Sequence, residues 1–300
     1  MVNEFLNEGG IIMIKSKATK TGDWIIVFIC FIFILICLLP LVNVLARSLS
    51  SSEALIRNEV TLWPVGLNFE AYKKVLSDSK YVWSLCWTAI LTIICMIVSL
   101  FMTTICAYPL IYDKLKGRRF INIFIILTMY FNPGTIPTYL LLQDLSMIDK
   151  PQVLIIPSCL SVFNMIIMRS FFYNISDSLR ESAEIDGANH IQVLRKIYLP
   201  LSKPVIATLA LFYAVGRWNG FSDALMYMND KRFYPIQLLL FNILNNFTNL
   251  DFVAEGFVSP GLSETLKAAT VMFATIPILL IYPRLQRYFV TGVTLGAVKE

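Results

Sequence analysis

The sequence predicts an all-α membrane protein: six transmembrane helices, with a cytoplasmic helix–turn–helix between the fourth and the fifth. Three observations carry that expectation. Apolar residues make up 57% of the chain and charged residues 15%, with a mean hydropathy of +0.67, more apolar surface than a water-soluble domain can hide. The apolar residues gather into six runs, near 24–45, 82–112, 120–142, 153–173, 205–226 and 266–282, and a run of about 20 residues crosses the hydrocarbon core as a helix. The third is an interruption. Residues 181–200, ESAEIDGANHIQVLRKIYLP, are polar and charged, yet they lie between two long apolar runs.

Residues 1–23 form a polar N-terminal segment with Lys15, Lys17 and Lys20 just ahead of the first run. Codons for Glu8-Gly9-Gly10 can spell a ribosome-binding sequence, which makes Met13 the expected natural start. The first run is longer than a signal-peptide core and lacks a small-x-small cleavage site, so it reads as a retained span. Pro40 is expected to kink or end it. Residues 46–80 make a polar excursion carrying Glu53, Glu59, Glu70 and Asp78. The second run is punctuated by Thr88, Thr92, Ser99, Thr103 and Thr104, hydroxyls that more often pack helices together than touch a solute. The third is broken by Asn132-Pro133-Gly134 and Pro137, with Tyr130, Asn132, Tyr139 and Gln143 around the break. Irregular backbone at membrane depth lines a cavity in transporters; a kinked packing helix explains the same residues as well.

Within 178–200, Ser178-x-x-Glu181 has the capping-box pattern, so a short helix is expected to begin near Ser178. Gly187 supplies a left-handed turn or a close backbone approach, and Asn189 caps a second helix with Ile191, Leu194 and Ile197 along one face. Pro200 and Pro204 close the unit. Ser182, Ala183, Gly187 and Ala188 leave little bulk at the bend, where another protein can approach.

The spacing here is Glu181-Ser182-Ala183, three residues, Gly187, nine residues, then Ile197-x-Leu199-Pro200. It resembles the coupling loop of binding-protein-dependent ABC transporter permeases, Glu-Ala-Ala, x3, Gly, x9, Ile-x-Leu-Pro, with Ser182 for the middle alanine. LWPVGLNFEAYKKVL after the first run and DKRFYPIQLLLFNIL in the external section 229–264 resemble segments of sugar-transporting members. The terminal YPRLQRYFVTGVTLGAVKE resembles the carboxyl end of those for complex sugars and oligosaccharides. The resemblance to the maltose-type family covers nearly the whole chain. It implies one half of a translocation pore, working with a second, homologous permease, an ABC ATPase dimer and an extracellular solute-binding protein. By the same resemblance Glu181, Ser182, Ala183, Asp186, Gly187, Ile197, Leu199 and Pro200 form the ATPase-coupling element.

Sidedness is independent of the resemblance. With the N-terminus inside, Lys15, Lys17, Lys20, Lys114, Lys116, Arg118, Arg119, Arg180, Arg195, Lys196, Lys203, Arg284, Arg287 and Lys299 are internal, and the external loops hold fewer basic residues, as the positive-inside rule asks. Both ends are then cytoplasmic: segment 1–23, a transmembrane domain over 24–290, and a tail over 291–300. The net charge of +5 follows this sidedness and membrane lipid, not nucleic acid.

Candidate residues of the substrate path are Tyr130, Asn132, Tyr139, Asn164, Trp218 and Asn219. Asn164 can bind a sugar hydroxyl, or it can bond a neighbouring helix. Arg217 and Asp223 are expected to pair. No glycine precedes a lysine, so the phosphate loop of ATPases is missing and ATP with its Mg belongs to the partner subunit. No cofactor or metal is expected on this chain. Its six cysteines lie in apolar runs as packing residues, and its one histidine, His190, lies in the helix–turn–helix. Two other readings are a polytopic membrane enzyme, such as a lipid-linked glycosyltransferase, and a permease for non-sugar cargo. The enzyme needs an acidic or histidine cluster at one membrane face, and the sequence offers none.

Overall fold

The computed structural model of the chain describes residues 17–131, 133–246 and 260–297. The expected start at Met13, most of segment 1–23 and the last residues of the tail lie outside these. Among the described residues the regular elements are all helices, with no strand. Helix α1, Lys17–Ser48, continues through Pro40 instead of ending there. A membrane helix tolerates such a proline because neighbouring groups re-satisfy the freed carbonyl. From Trp24 to Leu41 its large apolar side chains are exposed, and only its last turns pack, with Ala46 and Ser48 buried and Arg47 paired to Glu264 at 2.9 Å. The polar excursion folds into α2, Ser52–Ile56, and α3, Glu70–Ser77, whose Ala71 and Val75 pack on Ala269 of the last helix.

Helix α4, Ser79–Ala107, begins where Asp78 accepts the Lys80 N–H and continues into a tight turn over Pro109–Ile111. Its buried face is mostly hydroxyl-bearing. Ser84 donates to the Tyr234 carbonyl, Thr88 accepts the Ile236 N–H, and Thr103 bonds the Tyr213 hydroxyl, all at 2.7 Å. These hydroxyls stitch the helix to its neighbours, which accounts for so many of them in an apolar run. The third run is two helices, α5, Arg118–Tyr130, and α6, Thr135–Asp144, that meet at a sharp bend. Gly134 there has φ +89°, a conformation that glycine adopts without strain.

The fourth run differs from the expected single helix. A tight turn over Pro151–Leu154 leads into non-helical residues 155–161, and only α7, Val162–Tyr173, is helical. Pro157 brings no N–H, the Ser158 hydroxyl bonds the Leu154 and Ile155 carbonyls, and Ser161 caps α7 by accepting the Asn164 N–H at 3.3 Å. Then follow α8, Asp177–Ile185; α9, His190–Leu201, with a wide turn over Leu194–Tyr198; and α10, Lys203–Asn219, bent 82° from α9. The chain continues as α11, Ser222–Tyr227, α12, Ile236–Asn246, and α13, Pro260–Ala297.

Among the described residues three helices are long and apolar enough to cross a membrane, or up to five if each bent pair is one span. Helix α4 lies at the centre against α7, α10 and α12, and α13 packs on α10 and α1. Two apolar clusters hold it from either end. Leu91, Leu154, Tyr227 and Leu238 belong to one, and Tyr108, Met168, Phe172, Tyr198 and Leu209 to the other.

Candidate functional site

The elbow α8–turn–α9 is built by local chemistry. Helix α8 starts at Asp177, a residue earlier than the capping-box pattern suggests, and Ser178 makes no cap: its hydroxyl bonds that of Ser176 at 2.8 Å. Asp177 explains the earlier start, since its carboxylate favours the positive helix end and pairs with Arg180 at 2.9 Å. The helix closes on Gly187, φ +83°, with the Ala188 N–H bonding the Ala183 carbonyl and the Gly187 N–H bonding that of Glu184. That pair of bonds is a Schellman stop. The reciprocal capping box occurs next, where Asn189 and Gln192 each accept the other's backbone N–H at 2.9 Å.

The elbow has a wet outer side and a riveted inner side. Glu181, Ser182, Asp186 and Gly187 are exposed, and the apolar side chains of Ile185 and Ile191 are 85% and 67% exposed. Pro200 is exposed, while Ala183, Ile197 and Leu199 are partly buried. The inner side meets the end of α4. Tyr108 donates to the His190 carbonyl at 3.1 Å and bonds Tyr112, whose hydroxyl stands 3.3 Å from His190 Nδ1. The Arg180 guanidinium lies 5.0 Å from the Tyr112 ring centre, a cation–π contact. The rings of Tyr108, Phe172 and Tyr198 meet edge to face.

A second feature lies deeper. A cavity of about 530 Å³ is lined by Ser99 of α4, Ser158 and Ser161 of the non-helical segment, Asn164 of α7, and Tyr213 and Asn219 of α10. Such a wall offers hydroxyls and amides, which match a hydroxyl-rich solute. Arg217 also reaches it and is paired as expected: Nη1 and Nη2 grip the two Asp223 oxygens at 2.5 and 3.0 Å, while donating to the Leu154 and Gly220 carbonyls.

Of the candidate path residues, Asn164 and Asn219 line this cavity. Trp218 is buried with its indole N–H on the Ala274 carbonyl at 3.3 Å, packed on α13 and outside the lining. Tyr130 is exposed, and the Tyr139 ring lies 6.1 Å from that of Tyr227. Asn132 lies outside the described residues. Sequence reasoning missed Tyr108, Tyr112 and Arg180 at the elbow, and Ser158, Ser161 and Tyr213 at the cavity. Pro157-Ser158 within an apolar run was the available signal for the second break.

A helical chain with membrane-length apolar helices, an exposed elbow and a cavity lined in part by polar side chains is a membrane-embedded permease. Residues 89–295 match the model of the binding-protein-dependent transport system inner membrane component family, to which the chain belongs. It is 39% identical over 279 residues to the polygalacturonan/rhamnogalacturonan transport system permease protein YtcP of Bacillus subtilis (strain 168), covering 92% of this chain and 98% of that one. It is 40% identical over 268 residues to protein LplC of the same organism, covering 88% and 90%. A chain of a bacterial ABC transporter involved in the import of the acidic polysaccharide alginate has the same fold, with a TM-score of 0.84 and 33% identity over 91% of this chain and 98% of that one.

Proposed function

We propose that this chain is one half of a pore importing an oligosaccharide, driven by an ATPase dimer that docks on the elbow. The observation that carries the reading is the elbow's division of labour. Its outer side presents Glu181, Ser182, Gly187 and two exposed isoleucines, while its inner side is riveted to α4 through Tyr108, Tyr112 and Arg180. A force applied outside therefore reaches the helix that lines the cavity.

In this reading ATP and Mg are held by the partner ATPase, and its closure drags the elbow. Helices α4 and α10 move with it, and the cavity passes from one side of the membrane to the other, as packed, bistable elements do. The spans are α1, α4, the α5–α6 pair, residues 153–173, residues 205–226 and α13. Both ends and the elbow are cytoplasmic, with the boundaries at 1–23, 24–290 and 291–300. A second permease completes the pore, and an extracellular binding protein delivers the solute. The polygalacturonan/rhamnogalacturonan and alginate systems of the relatives support a carbohydrate cargo. So do the Ser, Asn and Tyr side chains in the cavity wall.

Purification from native membranes tests this directly. A second permease and an ATPase are expected to accompany the chain, with ATP turnover stimulated by an oligosaccharide-loaded binding protein. A chain that purifies stably without any ATPase contradicts the reading.

A further inference from the structure

We propose that a groove at the far end of α4 is a receiving subsite for an acidic saccharide, in which uronate carboxylates meet Lys80 and Lys231 and a sugar ring lies on Trp83. The inference rests on the carbohydrate-import reading and names the class of sugar. The groove measures about 840 Å³ and lies where the start of α4 meets residues 231–243, a size within the range of about 300–1,000 Å³ usual for small-molecule sites.

Its chemistry is aromatic and basic together. Trp83 is 53% exposed, and its indole N–H donates to the Arg232 carbonyl at 2.7 Å. That bond fixes the ring plane and uses the only donor that the indole has. What remains exposed is ring surface, whose electron-rich face attracts the C–H groups of a sugar ring. The acids nearby are already engaged. Asp78 caps the Lys80 N–H at 3.0 Å, Asp230 is gripped by Arg232 at 2.6 Å, and Asp149 accepts the Asn229 and Asp230 N–H groups at 2.8 Å. Among the described residues Lys80 and Lys231 have no ion-pair partner. Two ammonium groups without an ion-pair partner, against the single Asp78 carboxylate on the same lining, stand beside an exposed indole and suit a ligand carrying both ring faces and carboxylates.

Position adds to this. Ser84 lines the groove and Cys95 lines the polar cavity. Eleven residues is about three helical turns, so the two sites lie on one face of α4 about 16 Å apart. Leu91, Tyr227, Met228 and Leu238 form an apolar layer of the same region. The groove lies at the opposite end of α4 from the elbow, the side from which solute arrives if the elbow is cytoplasmic.

Trp and Lys at a helix end also anchor membrane helices among lipid headgroups, so the experiment separates the two. The importer, assembled from both permeases and the ATPase in detergent, is titrated by equilibrium dialysis with labelled galacturonate trimer and with the neutral galactose trimer. The wild type is expected to bind the galacturonate trimer, more weakly as salt rises. Lys80→Gln with Lys231→Gln should weaken that binding about tenfold, the scale of two solvent-exposed ion contacts, and leave the neutral trimer unaffected. Trp83→Ala should weaken both. Co-purification with the ATPase checks that each variant is folded. Galacturonate binding unchanged in the double variant overturns the inference. So does failure of the wild type to bind the trimer while phosphatidylglycerol vesicles bind in a Lys80- and Lys231-dependent way. If a loaded binding protein still stimulates ATP turnover in either case, the groove assignment fails alone. If no sugar stimulates turnover, the import reading falls with it.

Discussion

Gly187 offers the sharpest test of the elbow, because the structure separates what a side chain there does to the fold from what it does to docking. A Cβ built on Gly187 meets nothing within 4 Å, so steric cost inside the chain is absent. What remains is the φ of +83°, which costs alanine about 1 kcal/mol, a factor of about five in the population of the closed turn. Asparagine visits that region far more easily than alanine. Gly187→Asn therefore keeps the turn and adds only bulk, and Gly187→Asp adds bulk and charge. If the elbow sits flush in a groove of the ATPase, Ala should lower uptake by about fivefold or less. Asn and Asp should lower it much further, with the chain still present in the membrane. Labelled-oligosaccharide uptake, membrane abundance and stimulated ATPase activity of the purified complex read the three quantities. Normal uptake by Gly187→Asp refutes the docking argument. Full uptake by Asn with loss in Ala would mean that the glycine serves the turn alone.

Three further outcomes are expected. Tyr108→Phe keeps the edge-to-face rings but loses the bond to the His190 carbonyl, a contribution of about 1 kcal/mol; ATP turnover should persist while sugar uptake per ATP falls. Arg217→Ala strips Asp223 and two carbonyls of their donors at a site where Arg217 is 7% exposed, and since Asp223 keeps some solvent contact, stability in detergent should fall by about 1–3 kcal/mol. Arg217→Lys should not restore it, since an ammonium cannot grip both carboxylate oxygens from one plane. Asn164→Ala and Asn219→Ala should raise the sugar concentration needed for half-maximal uptake without changing membrane abundance, whereas equal effects on abundance would make the asparagines packing residues.

What could be read in advance was what is written along one stretch of chain. The elbow's glycine, its Asn189 cap and its terminal proline are encoded by spacing, and spacing survives in a linear text. Helix α8 starts near Ser178 as expected but without the cap there, because the Ser178 hydroxyl bonds that of Ser176. The rivets were hidden for another reason: Tyr108 and His190 are 82 residues apart, and only the packed fold brings them together. Trp218 and Asn219 are neighbours in sequence and face different surroundings, because successive residues on a helix point about 100° apart. The break at 155–161 was masked by its own apolarity. Its proline and serines look like ordinary members of an apolar run until their hydrogen bonds are counted.

Helix α4 touches the groove at one end, the cavity midway and the elbow at the other, and over its 29 residues it contains neither proline nor glycine. The other two long helices, α1 and α13, both carry internal prolines. A helix of that length is a beam of about 43 Å. A beam that does not bend is a lever: pivoting it by about 10° at the elbow swings its far end by about 7 Å, more than the rise of one helix turn. Small displacements of an ATPase surface would thereby be geared up into movements as large as a side-chain layer, without any element having to unfold.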